Sequence, residues 1–557
     1  MRNAGRLLLP IGTTNYKKIC DNYYYVDKTL MIKDILDEGT EISLFTRPRR
    51  FGKTLNMNML RTFFEKQEED TSRYFTDKKI WQQGEAYTKH QGKYPVIYLS
   101  LKDANKFTWP DLYARLIETI RDEFFRHSEL NDSPKISNPE FYKKIIAGQA
   151  TEAEYSISIL RLSRMLREHY GQSVILIIDE YDTPIQAGYI NGFYNEAIQF
   201  IRDLFSSALK DNDNLAFGFL TGILRVAKES IFSGLNNIYV YSVLDDKFSD
   251  YFGFTDMEVK QLVHYYALDD KLAEIKEWYD GYRFGEVEIY NPWSVLSYLK
   301  NGCKAIPYWV QTSSNSTINT ILRNLDGETY QKLKDIINGT AISSIVSTNV
   351  IYPELKDKSA NIFGFLLMTG YLKSRRTNFT MRGNILCELC IPNKEIENVY
   401  YNEILSQLAD GVSINTTNVL SEALLHKDDV VLKQSLNKFL LETISFYDTL
   451  NENYYHGLLL GMTVIFAHDY YIYSNRESGL GRYDIMLVPK QAGLPGIVIE
   501  VKSTEKSSPA ALKALASGAL EQINTNKYDT ELVKHGVKLI YKYGIAFSGK
   551  QAEIMTN

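Results

Sequence analysis

The chain has 557 residues, with 63 Lys and Arg against 68 Asp and Glu and a formal charge of −5, so nucleic-acid binding would need a local basic surface and not a global field. Four cysteines in so long a chain argue against a disulfide scaffold, and the longest apolar stretch, "GLLLGMTVIFA", falls short of the ~18 residues that span a bilayer. The N-terminal "MRNAGRLLLPIG" has too short an apolar run for a signal peptide, which makes a soluble cytoplasmic protein of roughly three or four domains the expectation.

The first informative stretch is "LFTRPRRFGKTLNM", residues 44–57. The preceding "TEISLFT" is β-prone and the following "TLNMNMLRTFFEKQ" is apolar at helical spacing, so the order is strand, loop, helix. The loop ends in Gly52-Lys53-Thr54, as a phosphate-binding loop should. The general pattern G-x-x-x-x-G-K-[ST] nevertheless asks for glycine at position 47 and finds Arg47. A helix N-terminus aims free N–H groups at an anion. Lys53 is then expected to reach the outer phosphates of ATP and the Thr54 hydroxyl to ligate Mg²⁺.

A strand, "YPVIYLSLKD", and amphipathic helices over roughly 109–127 and 152–170 come next, which makes a βαβ series. "SVILIIDEYDTPI" (173–185) is a continuous apolar run ending in Asp179-Glu180, as in a parallel strand buried on both faces. Carboxylates at the C-terminal end of such a strand sit where open α/β sheets bind ligands, so Asp179 is read as a Mg²⁺ ligand and Glu180 as the residue that polarises attacking water. The apolar strand 215–224 ends in Thr221, which is either a γ-phosphate contact or plain core.

From about 236 to 300 the pattern is helical, with Thr255 and Glu258 forming a capping box. "WYDGYRFG" and "YNPWSVLSYL" suggest a lid in which Arg283 is either a reporter on the nucleotide or an exposed loop arginine. Residues 301–440 read as mixed helices with a β pair near 370–392. Cys387 and Cys390 in that pair lack the partners of a zinc site.

"GRYDIMLVPKQAGLPGIVIEVKST" (481–504) holds two β-prone runs about a Pro-Gly-Pro turn. A hairpin centred near residue 492 sets Asp484 within a residue of facing Glu500, at a Cβ separation of ~5 Å that suits one divalent ion. Lys502 shares the Glu500 face by the strand period of two. Mg²⁺ or Mn²⁺ fits these oxygens, and the lysine can orient water or neutralise charge on a phosphate. Residues 482–550 carry ten Lys and Arg against six Asp and Glu, an excess of 10 − 6 = +4.

Taken together, "YYVDKT" (24–29), "RPRRFGKT" (47–54), "IIDEYDTP" (177–184), "LTGILRVAKESIFSGLNN" (220–237), "WYDGYRFG" and "YNPWSV" resemble the bacterial AAA-ATPase-like family, which is usually fused to a C-terminal nuclease-fold domain. In that family the arginine-rich loop is the usual form, and Arg49 or Arg50 can add phosphate contacts or equally face DNA or solvent. The 481–504 constellation is similar to the PD-(D/E)XK nuclease fold. That resemblance implies two further active-site residues, Glu452 before the core strands and Gln522 on the helix after them. It also implies an α/β fold class: a P-loop AAA-type parallel sheet (1–235), a helical lid (236–300), a mixed linker (301–440) and an α/β nuclease-like domain (441–557). The expected function is an ATP-binding, ATP-hydrolysing protein controlling a Mg²⁺-dependent nuclease that acts on nucleic acid, DNA ahead of RNA, with a homo-oligomer left open. The alternative is a nucleotide-controlled switch whose nuclease fold only binds nucleic acid or a partner protein.

Overall fold

The apolar runs 42–46 and 174–179 lack polar alternation, and both form strands whose every residue is buried, as inner strands of a parallel sheet must be. The computed structural model describes residues 6–226, 237–309, 329, 332–333, 335–336, 339–350, 352–354, 359–400, 414–443, 452–463, 466, 469–479, 481–504 and 507–557. By its internal packing the chain forms two units: residues 1–317 with 341–396, and residues 318–340 with 397–557.

In the first unit, β1 (Ile42–Thr46), β2 (Val96–Ser100), β3 (Val174–Asp179) and β4 (Leu215–Gly222) are followed by the short β5 (Arg225–Val226) and by β6 (Ile238–Tyr241). The main sheet runs β2-β3-β4-β1-β6, and every neighbouring pair is parallel. β4 therefore stands between the loop strand and the acidic strand, with Phe45 beside Thr221 and Ile178 beside Leu220. Of the two helices expected between β2 and β3, the first is Trp109–Arg126, begun by Thr108, whose side chain accepts from Asp111 N. The second is broken at Ile157 into Glu152–Ser156 and Ser158–Tyr170. β6 pairs with the outer side of β1, from Ile42 beside Ile238 to Phe45 beside Tyr241. The sheet thus extends past residue 235, through a four-residue strand too short to show a period.

Helices Asp256–Tyr266, Leu272–Tyr279 and Pro292–Lys300 share a core of Val259, Leu262, Ile275, Tyr279, Val295 and Tyr298, and the hairpin β7 (Tyr282–Phe284) and β8 (Val287–Ile289) joins the last two. The Thr255–Glu258 capping box is formed reciprocally. The stretch 301–440 is divided between the two units. Its 341–396 part contributes β9 (Ile342–Val346), β10 (Asn349–Val350), β11 (Lys373–Phe379) and β12 (Ile385–Cys390). β10 pairs with β5, and β12 lies between β9 and β11. Cys387 and Cys390 are buried free thiols on β12.

The second unit is built on β13 (Tyr470–Ser478), β14 (Gly481–Pro489), β15 (Gly496–Ser503), β16 (Ile540–Ser548) and β17 (Gln551–Thr556) in that spatial order. Only β15 and β16 run parallel, joined by the crossover helix Pro509–Thr525. That helix lies so close that a Cβ on Gly544 would sit 2.3 Å from the Ala516 carbonyl oxygen, so glycine is required there. Odd-numbered Ile485, Leu487, Ile497 and Ile499 pack on one face against Leu436, Leu459 and Met462. Even-numbered Met486, Val488 and Val498 pack on the other against Ile523, Tyr528 and Leu532.

Candidate functional sites

Gly52 adopts φ 85 at the N-cap of the helix Lys53–Phe64, a left-handed turn that any side chain would strain. Arg47, at the position of the missing first glycine, points inward and is fully buried. Its guanidinium donates to the carbonyls of Thr46 (2.9 Å), Tyr241 (2.7 Å) and Phe248 (3.2 Å) and lies 5.1 Å and 5.2 Å from the ring centroids of Phe252 and Phe284. Burial pulls it down to about 9, still protonated at neutral pH. The first glycine is thus replaced by an internal strut that fastens the loop to β6 and the chain after it.

Lys53 is buried, and its ammonium donates to the carbonyls of Arg47 (2.9 Å) and Pro48 (2.8 Å). Burial lowers its pKa, while Glu180, Asp182 and Asp179 oppose that shift. Asp179 is also buried. Its Oδ1 accepts from the Thr221 hydroxyl at 2.6 Å, and its Oδ2 finds no hydrogen-bond partner. Burial raises its pKa, Thr221 lowers it, and Thr54 and Lys53 add smaller lowering effects. The Thr221 hydroxyl is therefore spent on Asp179; its oxygen also accepts from Glu180 N at 3.3 Å. Glu180 has φ 57, a left-handed backbone for a non-glycine residue, and its Oε2 accepts from the Thr183 hydroxyl at 3.4 Å.

Lys53, Thr54 and Glu180 open onto a cavity of about 710 Å³, together with Arg49, Arg50, Tyr24, Tyr25, Lys28 and Trp293. That is the size range of small-ligand sites, roughly 300–1,000 Å³. Arg49 donates to Gln186 Oε1 at 2.9 Å, and Arg50 lies over the Trp293 ring at 4.4 Å. Arg283 is elsewhere. It lines a separate cavity of about 380 Å³, is bonded to Glu286 and the carbonyls of Gly285 and Arg375, and is absent from the lining of the cavity beside Lys53. Two charged residues of the quoted motifs make ties that their spacing does not announce. Lys28 of "YYVDKT" forms a buried pair with Glu258 at 2.6 Å. Asp182, the second aspartate of "DEYD", accepts from Ile223 N (2.8 Å) and Leu224 N (3.0 Å) and secures the turn after β4.

In the second unit the pairs Ile485–Ile499, Met486–Val498 and Leu487–Ile497 centre the hairpin on residue 492. The same register continued one step sets Asp484 opposite Glu500. Asp484 Oδ2 accepts from Val501 N at 2.7 Å. Glu500 is 2% exposed. Its Oε1 accepts from Lys502 Nζ at 3.1 Å and from Gln522 Nε2, while Oε2 is buried without a partner. Burial, then the Asp484 charge, pushes the carboxyl up to about 7, against the pull of Lys502. Glu452 is the first residue of the helix Glu452–Thr463, and its side chain lies outside the described residues. His456, one turn further on and unassigned from sequence, has Nε2 3.1 Å from the Asp484 carbonyl and 3.1 Å from Ser474 Oγ. Its i, i+4 spacing from Glu452 was the available signal.

Two facing carboxylates with one unsatisfied oxygen fit a hard divalent cation, which commonly takes one or two carboxylates and completes its shell with water or phosphate oxygens. Among the described residues no group of three His, Cys, Asp or Glu side chains converges. Asp179 and Thr54 offer a similarly sparse oxygen set.

The predicted AAA-ATPase family model, AAA-ATPase-like, matches residues 10–232, and that of the PD-(D/E)XK nuclease superfamily matches residues 450–557. The chain thus combines an AAA-ATPase-like domain with a C-terminal domain of the PD-(D/E)XK nuclease superfamily. A curated relative, an uncharacterized protein in the vnfD 5′ region of Azotobacter chroococcum mcd 1, is 25% identical over 486 residues, covering 86% of this chain and 81% of its own. No helix among the described residues is long and apolar enough to cross a membrane.

Proposed function

We propose that the protein binds and hydrolyses ATP with Mg²⁺ at the 47–54 loop and uses the nucleotide to govern a Mg²⁺- or Mn²⁺-dependent nuclease site on β14 and β15. Its substrate is nucleic acid, DNA ahead of RNA, in the cytoplasm. One observation carries the reading. Among the described residues, three buried carboxylate oxygens have no hydrogen-bond partner, on Asp179, Asp280 and Glu500, and two of these belong to the residues read as metal ligands.

Lys53 would exchange two loop carbonyls for phosphate oxygens, a stronger charge-assisted contact. Thr54 and Asp179 would hold the metal of the nucleotide, and Glu180 would accept a hydrogen bond from the attacking water. In the second unit Asp484 and Glu500 would hold the ion, with Gln522 occupying Glu500 Oε1 and leaving Oε2 for it. Lys502 would neutralise charge developing on the phosphate. A bound divalent ion supplies a more acidic water and a polarised phosphate oxygen.

The test is the purified full chain with labelled single- and double-stranded DNA and RNA, with and without ATP and each metal. Metal-dependent cleavage is expected, together with calorimetric ATP binding that Lys53→Ala abolishes. Wild type and Lys53→Ala equally indifferent to ATP would overturn the nucleotide half. Binding without cleavage under any metal would reduce the second unit to a gripping module.

A further inference from the structure

Glu395 is fully buried on the helix Lys394–Val399, in the 341–396 part of the first unit, and lies outside both sites described above. Its two oxygens accept from Ser294 Oγ at 2.9 and 2.8 Å, and Oε1 also accepts from Trp309 N at 2.9 Å. Ser294 follows Trp293, in the first turn of the helix Pro292–Lys300, whose cap Asn291 accepts from Trp293 N and Ser294 N. The Trp293 ring carries the Arg50 guanidinium, and Trp309 Nε1 donates to the Arg49 carbonyl at 3.3 Å. One carboxylate therefore holds the Trp309 backbone directly and, through the Ser294 hydroxyl, the residue next to Trp293, and each tryptophan touches one of two consecutive arginines of the phosphate loop.

Packing does not account for an acid here. Among the described residues no cation pairs with Glu395, and a buried carboxylate so placed carries a desolvation cost that a glutamine or methionine of similar volume avoids. What a carboxylate adds is acceptor capacity: two oxygens with about four lone-pair sites can serve donors from two separate segments at once. Loss of that tie would release Trp293 and Trp309 together, and with them the Arg50 side chain and the Arg49 main chain. Phosphate contacts depend on such placement, and an error of ~1 Å at a site is costly.

We propose that Glu395 is a positioning residue for the phosphate loop, holding Arg49 and Arg50 in register for nucleotide through Trp309 and Trp293. The proposal rests on the nucleotide-binding reading.

The experiment has two arms. In the first, ATP with Mg²⁺ is titrated calorimetrically into wild type, Glu395→Ala, the double variant Arg49→Ala/Arg50→Ala, and all three changes combined. Glu395→Ala should weaken binding ~10-fold in the wild-type loop and by less than ~2-fold once both arginines are gone, because the lever it works through is absent. Glu395→Gln, which keeps one acceptor oxygen, should fall between wild type and Glu395→Ala. An equal loss in both backgrounds, or unchanged affinity in a folded Glu395→Ala chain, would overturn the proposal. Ser294→Ala serves in place of Glu395→Ala if the latter does not fold. The second arm uses no nucleotide: Glu395→Ala should shift tryptophan emission, and most of that shift should vanish in a Trp293→Phe/Trp309→Phe background. An unshifted emission overturns the positioning role even if the calorimetry is silent. A wild type that takes up no ATP while the emission shift is present marks failure of the nucleotide reading instead.

Discussion

The two carboxylate sites end on the same chemical feature, an unsatisfied buried oxygen, yet they are assembled in opposite ways. On β14 and β15 the set Asp484, Glu500 and Lys502 comes from one hairpin, and the strand period alone brings it together. At the end of β3, Asp179 is held by Thr221, 42 residues further on, and the loop beside it is braced by Arg47 against a carbonyl 201 residues away. The first kind of site is carried by local geometry. The second depends on the packing of the sheet and of the chain after β6, so the two should differ in how they fail.

The sharpest way to break that contrast is Arg47→Gly, which restores the general phosphate-loop pattern. If loop sequence mattered most, the change would be tolerated. The structure predicts instead a loss of about 5 kcal/mol in the first unit. Three buried carbonyls lose their donor, a large side chain leaves a void beside Phe252 and Phe284, and glycine adds chain entropy. Thermal unfolding followed by ATP titration measures it. An unchanged melting temperature would mean that the first site is as local as the second.

In the hairpin site the expected losses are chemical, with the fold retained. Glu500→Gln removes the charge of one of two facing carboxylates and, on the proposed reading, should cut metal-dependent cleavage by at least ~10³-fold. Lys502→Ala should spare metal affinity and lower the rate by ~10²-fold if it stabilises transition-state charge. A folded Glu500→Gln chain of undiminished metal binding and cleavage would leave Glu500 and Lys502 as a same-face ion pair, worth under ~1 kcal/mol.

The same contrast decides what could be read from the sequence. The turn "PKQAGLP" and the alternation around it place the hairpin centre at 492, so the facing of Asp484 and Glu500 follows from counting. The continuous apolar run of β3 likewise announces a strand buried on both faces. The strand order is another matter. Nothing in "IYVY" says that β6 lies beside β1, and nothing in "RPRR" says that its first arginine points inward while the next two flank a cavity. The Glu395 tie spans 101 residues to Ser294 and 86 to Trp309, and no periodicity reaches that far.

Glu395 also offers a pH test of the non-local site. Burial raises its carboxyl from 4.5 to about 7, opposed by the hydrogen bonds from Trp309 N, Ser294 and Tyr308 N. The other titratable groups felt there are the phenols of Tyr279, Tyr282 and Tyr308, all raised by burial and neutral below pH 8. Because the folded pKa lies above the unfolded one, folding takes up a proton between these values. The stabilisation is complete below pH 4.5 and is lost as pH rises through about 7. Glu395→Gln cannot titrate, so the wild-type minus variant difference in stability should fall by on the order of 2–3 kcal/mol across that window. Urea unfolding of both proteins at several pH values measures it. A pH-independent difference would place the carboxylate outside any buried tie.

The smallest effect expected is also the most selective. Glu180 sits where β3 ends, on a left-handed backbone that strands do not ordinarily adopt, with its N–H turned onto Thr221 Oγ1. Such strain persists where surrounding structure over-determines it, and the surroundings here are non-local: Thr221 on β4 and the turn held by Asp182. A side chain presented this way lines the cavity beside Lys53 and Thr54, while in the proposed function it is its neighbour Asp179 that would hold the metal. Glu180→Gln keeps the shape and the backbone and removes only the charge that would accept a proton from water. It should therefore leave ATP affinity within about twofold of wild type and slow phosphate release by at least ~10-fold. Calorimetry and a phosphate-release assay on the same preparation separate the two quantities. If affinity and turnover fall together, Glu180 is part of the binding set and the division of labour with Asp179 is wrong. If neither changes, the strained backbone at 180 serves the turn alone.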